Sequence, residues 1–122
     1  MQTGFAFSSI ASFVLRNHFD RVAHFSVGFY AFPLAEFLER RQLAQPAVVL
    51  LFCLSAVMAI ACGYEIIEWV YAVAEGGEAG IEFLGSQGDP WDAQKDMLAD
   101  TLGALFALGV FTARERRTKG VA

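Results

Sequence analysis

Three long apolar runs, each bounded by clusters of charge, constrain this chain more than any other feature. They cover about 22–38, 46–74 and 96–113. A helix needs about 20 apolar residues, with a range of roughly 17–25, to cross the hydrocarbon of a bilayer. The first and third runs lie near the short limit. The second, at roughly 28 residues or ~42 Å, is expected to tilt or to project from the bilayer. Composition agrees: 56% of residues are hydrophobic and 18% charged, and the charges fall between the runs. A soluble domain of this size carries more charge, spread more evenly. The expected fold is therefore all-α: one domain over residues 1–122, a multispan transmembrane helical bundle. It has three clear spans and a short fourth segment, Met1–Leu15, open between a trimmed span, a re-entrant piece and an interfacial helix.

Punctuation between the runs is sparse. Pro33 lies inside the first run and predicts a kink, which membrane helices tolerate when neighbours satisfy the freed carbonyl. Gly76–Pro90 reads as the one sizeable loop, with turn signals at Gly76-Gly77 and Gly88-Asp89-Pro90. It lies within a connecting stretch over 75–95. Met1–Leu15 lacks the positive start of a signal peptide and is not expected to be cleaved. Cys53 and Cys62 share the second run, roughly 13 Å apart along a helix, beyond disulfide reach. Both are expected to be small buried side chains. The net charge of −4 includes no basic surface for a nucleic acid.

Lys and Arg set the orientation. Arg40 and Arg41 lie in the first link, and Arg114, Arg116, Arg117 and Lys119 in the tail. Both regions belong on the cytoplasmic side, C-terminus included. The 75–95 stretch carries Glu75, Glu78, Glu82, Asp89 and Asp92 against Lys95 and belongs outside. The first span then enters from the outside, which calls for a segment ahead of it.

With that orientation, the ionisable residues converge at one depth. Asp20, Arg21 and His24 stand at the outer end of the first run. Glu65 and Glu68 stand in the outer third of the second, beside Trp69 and Tyr71, an aromatic belt. Asp92, Asp96 and Asp100 open the third. Asp20/His24 are four apart, Glu65/Glu68 three apart, and the aspartates rise in steps of four, so each set shares one helical face. Small residues flank them, Ala99, Gly103 and Ala107 on the third run and Ala59 and Gly63 on the second. That spacing lets helices approach closely, so the acidic faces are expected to point inward.

Carboxylates in a bilayer are costly, by at least roughly 2.5–3.5 kcal/mol each at the centre, and five in one pocket repel one another. They call for protonation, for Arg21 as counter-ion, for hydrogen bonds or for a bound cation. A divalent metal ion is the cofactor this implies, with His24, Glu65, Glu68, Asp96 and Asp100 as its candidate ligands. Carboxylates with one imidazole suit Zn, Mn or Fe, and carboxylates alone suit Mg or Ca. The Glu-x-x-His pairs of the ferritin-like di-metal site are absent. Plainer roles compete: Asp20 as a helix cap, His24 as a structural hydrogen-bonding group, Asp96 as a favourable charge at a helix N-terminus. Glu65 and Asp100, each a turn or more inside an apolar helix, resist such readings.

Several segments resemble the YjdF-type family of bacterial inner-membrane proteins. They are residues 16–25 (RNHFDRVAHF), 64–69 (YEIIEW), 84–97 (LGSQGDPWDAQKDM) and 100–104 (DTLGA). The resemblance covers about 16–107, and the third of these segments is its most specific part. The order Asp-Arg-x-x-His-Phe, Glu-x-x-Glu, Asp-x-x-x-Asp-x-x-Gly-Ala is also similar to a wider VanZ-like group of multispan proteins. The resemblance implies a helical protein of the bacterial inner membrane, but no set reaction or cofactor. Such proteins carry further spans before the Asp-Arg-x-x-His segment, so this chain is expected to be short at its N-terminus.

The expected function is a His/carboxylate pocket near the outer leaflet that binds a metal or a lipid headgroup. Asp20, Arg21, Gln87, Asp89, Trp91 and Asp92 are its candidate ligand-binding residues, with Gly85–Trp91 as a lid. For an enzyme acting on a lipid-linked substrate, His24 or Glu68 is the candidate catalytic base. The alternative is an accessory subunit whose acids pair with a membrane-protein partner or a second copy. A cation or proton pathway ranks last, because the acids occupy one end only.

Overall fold

The computed structural model describes residues 18–83 and 89–120, and among these there is no strand. Helix α1 (18–27) runs through a 3-10 turn, Gly28–Tyr30, into α2 (Ala31–Arg40). Helix α3 spans Pro46–Glu75, α4 Gly77–Phe83 and α5 Asp92–Gly120. Two of these, α3 and α5, are long and apolar enough to cross a membrane, with mean hydropathies of 2.4 and 1.4 over their best 18-residue stretches. The α1–α2 rod packs against both. Met1–Leu15 and Gln87 lie outside the described residues.

The kink expected from Pro33 takes the form of the 3-10 turn just before it. Proline has no N–H and its ring clashes with the carbonyl four residues back, here that of Phe29. The tighter winding lets amides at the turn's end bond to the carbonyls of Gly28 and Phe29. Helix α3 opens with Pro46 at its first turn, where a missing N–H costs nothing. It closes at Gly76 and Gly77, whose φ of 69° and 55° suit glycine.

Residues at helical spacing form the contact faces. On α3 the buried set is Val49, Cys53, Val57 and Ala61, successive steps of four, and the next step is Glu65. On α5 it is Asp92, Asp96, Asp100, Ala104 and Leu108, with Gly103, Ala107 and Phe111 beside them. On the rod it is Gly28, Ala31 and Ala35. Lipid tails are as apolar as leucine, so close van der Waals contact, rather than exclusion of water, holds such helices together. The tightest point is Gly28 against Gly103. A Cβ on Gly103 would collide with the Phe25 carbonyl and lie 3.2 Å from the Gly28 Cα, and one on Gly28 would collide with the backbone of Asp100, Gly103 and Ala104.

Several sequence expectations change. Ala59 is exposed, and a Cβ on Gly63 would meet nothing within 4 Å, so that stripe does not mediate contact among the described helices. The working small residues are Gly28, Ala31 and Ala35 against Gly103, Ala104 and Ala107. Gly76–Pro90 is not all loop: α4 folds back on α3, with Gly80 seated against the Ala72 carbonyl. Helix α5 begins at Asp92 rather than Asp96 and continues to Gly120 rather than Ala113. Cys53 is buried as expected, but Cys62 is exposed, and neither is in a disulfide.

Candidate functional site

The aspartates of α5 lie on the same face as its buried small residues, so packing against α1 carries them inward. Their side chains are nearly inaccessible: 8% exposed for Asp92, 6% for Asp96 and 3% for Asp100. Burial of that depth demands partners, and α1 supplies two. The Arg21 guanidinium forks across one turn of α5. Nη2 donates to Asp92 Oδ1 at 2.5 Å, and Nη1 donates to Asp96 Oδ1 and to the Asp92 backbone carbonyl, the last at 3.2 Å. Fork geometry of this kind is particular to arginine.

His24 stands one turn further along α1 and meets the next aspartate. Its Nδ1 lies 3.0 Å from Asp100 Oδ2. Its Nε2 faces Asp20 Oδ1 at 3.9 Å and Asp96 Oδ1 at 3.8 Å. Asp20, His24 and Asp96 each present one ligand atom, all within 4.8 Å of one another. The second oxygen of Asp100, Oδ1, is buried with no hydrogen-bond partner among the described residues. An orphaned carboxylate oxygen at this depth is uncommon, because it forfeits hydration without compensation.

Glu65 and Glu68 are half-buried on α3. Glu65 lies within electrostatic reach of Glu68, Asp96 and His24. No ion pair reaches either glutamate among the described residues. The Tyr64 ring meets His24 edge-on, with centroids 6.1 Å apart. Tyr64, His24, Asp20 and Asp100 line a cleft of about 300 Å³ whose apolar walls include Val27, Ile60 and Ala61. Tyr64 joins the residues expected from the sequence. Its place one residue before Glu65 was the available signal, but a tyrosine near an interface also reads as belt.

The loop residues behave differently. Asp89 Oδ1 accepts the Trp91 amide at 3.0 Å, and Oδ2 accepts Lys95 Nζ at 2.5 Å. The Lys95 ammonium and then the Trp91 amide hold its carboxyl below the usual aspartate range. Asp89 thus shapes the approach to α5, the local turn its residue type favours. Trp91 is 62% exposed, so its side chain does not cover the pocket.

The arrangement therefore sorts the predicted residues. Arg21, His24, Asp92, Asp96 and Asp100 form one cross-helix network, with Asp20 at its edge. Glu65 lies within electrostatic reach of it without bonding to it, and Glu68 neighbours Glu65 and Tyr64.

Residues 3–117 match the sequence family described as "Predicted membrane protein (DUF2238)". The inner membrane protein YjdF of Escherichia coli is 41% identical over 101 residues, covering 81% of this chain and 47% of that protein. The chain thus spans about half the length of the curated relative it matches. No solved structure matches.

Proposed function

Because the chain belongs to the DUF2238 family of predicted membrane proteins, we propose that it is a multi-pass protein of the inner membrane that binds a divalent cation between α1 and α5. The family match and the inner-membrane relative support the location. The α1–α2 rod serves as a third span, and the basic tail keeps the C-terminus in the cytoplasm. The site then sits near the outer leaflet, as the distribution of Lys and Arg favours.

One observation carries the reading: His24 is arranged as metal-ligating histidines are. A ligating imidazole usually gives its other ring N–H to a carboxylate, which fixes the tautomer and raises basicity. Here Nδ1 contacts Asp100, and Nε2 is left toward Asp20 and Asp96. Zinc donors about 2.0–2.1 Å from the ion stand roughly 3.3 Å apart in a tetrahedron, so the two pairs that His24 Nε2 makes, at 3.9 and 3.8 Å, need to close by about half an ångström. Asp100 becomes the orienting group rather than a ligand, and Glu65 and Glu68 supply outer charge. A cation also offsets the local surplus of carboxylates over Arg21. The cleft beside His24 is walled by apolar residues and has room for a lipid headgroup, the class of ligand that would reach the ion from the bilayer. In that case His24 binds the cation, and Glu68, free of ion pairs, is the better candidate for a base. The motif order shared with VanZ-like proteins is compatible with this but names no reaction.

Zn²⁺ and Mn²⁺ titrations of the purified chain in detergent test the reading. The wild type is expected to bind one ion. His24→Ala should weaken binding by at least about 100-fold. Asp100→Asn should weaken it by about 10–100-fold, as loss of an outer-shell partner does. Glu68→Gln should leave it within a few-fold. A wild type that takes up neither ion would overturn the proposal.

The second reading is a subunit whose acids meet a partner's cations. Glu65 and Glu68, which no ion pair reaches among the described residues, favour it. Native mass spectrometry separates the two: a metal-bound monomer supports the first, and a metal-free complex the second.

A further inference from the structure

At the opposite end of the bundle, where the basic residues gather, a groove lies between α3 and α5. Two adjoining cavities of about 450 and 740 Å³ share Leu50, Thr112 and Arg116 in their walls and line up along α5 as a trough. Below Arg116 the trough is apolar, with Leu51 and Leu54 on one side and Leu105 and Gly109 on the other. A Cβ on Gly109 would meet nothing within 4 Å, so this glycine widens the groove and is not a packing contact. From Leu105 to Arg116 the trough follows α5 for about 16 Å.

The charges at its mouth are unequal. Arg114 pairs with Glu36 at 3.1 Å, and Lys119 bridges Glu39 at 2.7 Å and Glu115 at 3.6 Å. Lys119 thus engages both carboxylates that line the opening, Glu39 and Glu115, while Glu36 lies outside it. Arg116 has no ion pair or hydrogen bond among the described residues, although it lines both cavities. A guanidinium free at the head of an apolar trough of this length matches one ligand class in both its parts. Basic pockets between transmembrane helices are the usual seats of anionic headgroups, and guanidinium binds phosphate by paired hydrogen bonds.

We propose that this groove is a binding site for an anionic phospholipid, with the phosphate on Arg116 and one acyl chain along Leu105 and Gly109 between α3 and α5. The site is remote from His24 and does not depend on the cation proposal. It commits to lipid over a second helix because the mouth offers an unpaired cation and the trough opens beside Gly109.

Native mass spectrometry of the full chain in detergent tests this, with dioleoylphosphatidylglycerol and dioleoylphosphatidylcholine as probes. The glycerol lipid is expected to be retained at least five-fold over the choline lipid. Arg116→Gln should bring the two to parity. Gly109→Leu, which fills the trough but leaves Arg116 in place, should lower retention of the glycerol lipid by a similar factor. Arg40→Gln and His24→Ala should change nothing here. Equal retention of both lipids by the wild type would overturn the proposal, as would full preference in Arg116→Gln. A doubled mass that Gly109→Leu splits would also overturn it, assigning the groove to a second copy. Arg116 is exposed and unpaired, so its variant is expected to keep the wild-type helicity, and Gly109→Leu gives an independent reading.

Discussion

Gly103→Leu is expected to destabilise the bundle by about 3 kcal/mol or more, the upper part of the range for overpacked cores. Helix propensity alone predicts the opposite sign, a gain of up to ~1 kcal/mol for removing a glycine from a helix interior. The collision wins because the obstacles are backbone. A Cβ at Gly103 meets the Phe25 carbonyl and the Gly28 Cα, and neither can turn aside as a long side chain would. Helix α1 must move off α5, and the contacts of Arg21 and His24 go with it. Thermal unfolding in detergent, together with Zn²⁺ binding, checks this: both should fail. Gly109→Leu on the same helix is the control. Its Cβ has open space, so stability should hold or rise slightly. Equal effects at the two glycines would mean that the Gly28–Gly103 approach is not what sets the helix contact.

Arg21→Met is expected to cost about 3 kcal/mol. Breaking a buried ion pair from one side typically costs 3–5 kcal/mol, because the partner is left charged and unpaired. Two aspartates are stranded here rather than one. Arg21 is itself 23% exposed, so solvent moderates the loss and the lower end applies. Adding Asp96→Asn to Arg21→Met should recover a good part of the stability, since the stranded charge is removed with its partner. The same variant bears on the cation proposal. With Arg21 gone, Asp96 is released to a metal, so Zn²⁺ affinity should rise about ten-fold. At one fixed, saturating Zn²⁺ concentration, ten-fold tighter binding should stabilise the variant by about 1.4 kcal/mol more than it stabilises the wild type. A loss under 1 kcal/mol, or a metal response no larger than that of the wild type, would count against the network as drawn.

The sequence made some of this legible residue by residue. The steps of four that join Asp92, Asp96 and Asp100 run on into Ala104 and Leu108, so the acidic face is the packing face, and it is buried as expected. Glu65 extends the stripe Val49-Cys53-Val57-Ala61 in the same way. Pro33 announced the break in the rod. Other features were not legible. Ala59 and Gly63 have the same small-residue spacing as Ala31 and Ala35, yet only the second pair is in contact. The rotation of a helix about its axis is settled by every face it presents, not by one motif. Helix α4 was hidden because Gly76, Gly77 and Gly80 all read as turn, and only packing on Ala72 shows that Gly80 is a contact residue.

The amino-acid sequence by itself determined that this chain is helical, that it belongs in a membrane, and that Asp92, Asp96 and Asp100 share one inward face. Those follow from hydropathy and from the period of the helix, both properties of a single segment. Only the tertiary structure decided who meets whom. Arg21 takes Asp92 and Asp96, His24 takes Asp100, and Glu65 and Glu68 stand apart from both. Pairing across helices depends on their relative rotation and distance, and the contact of Gly28 with Gly103 fixes both at once. That is why the five candidate ligands separate: His24, Asp96 and Asp100 join the cross-helix network, and Glu65 and Glu68 stay outside it.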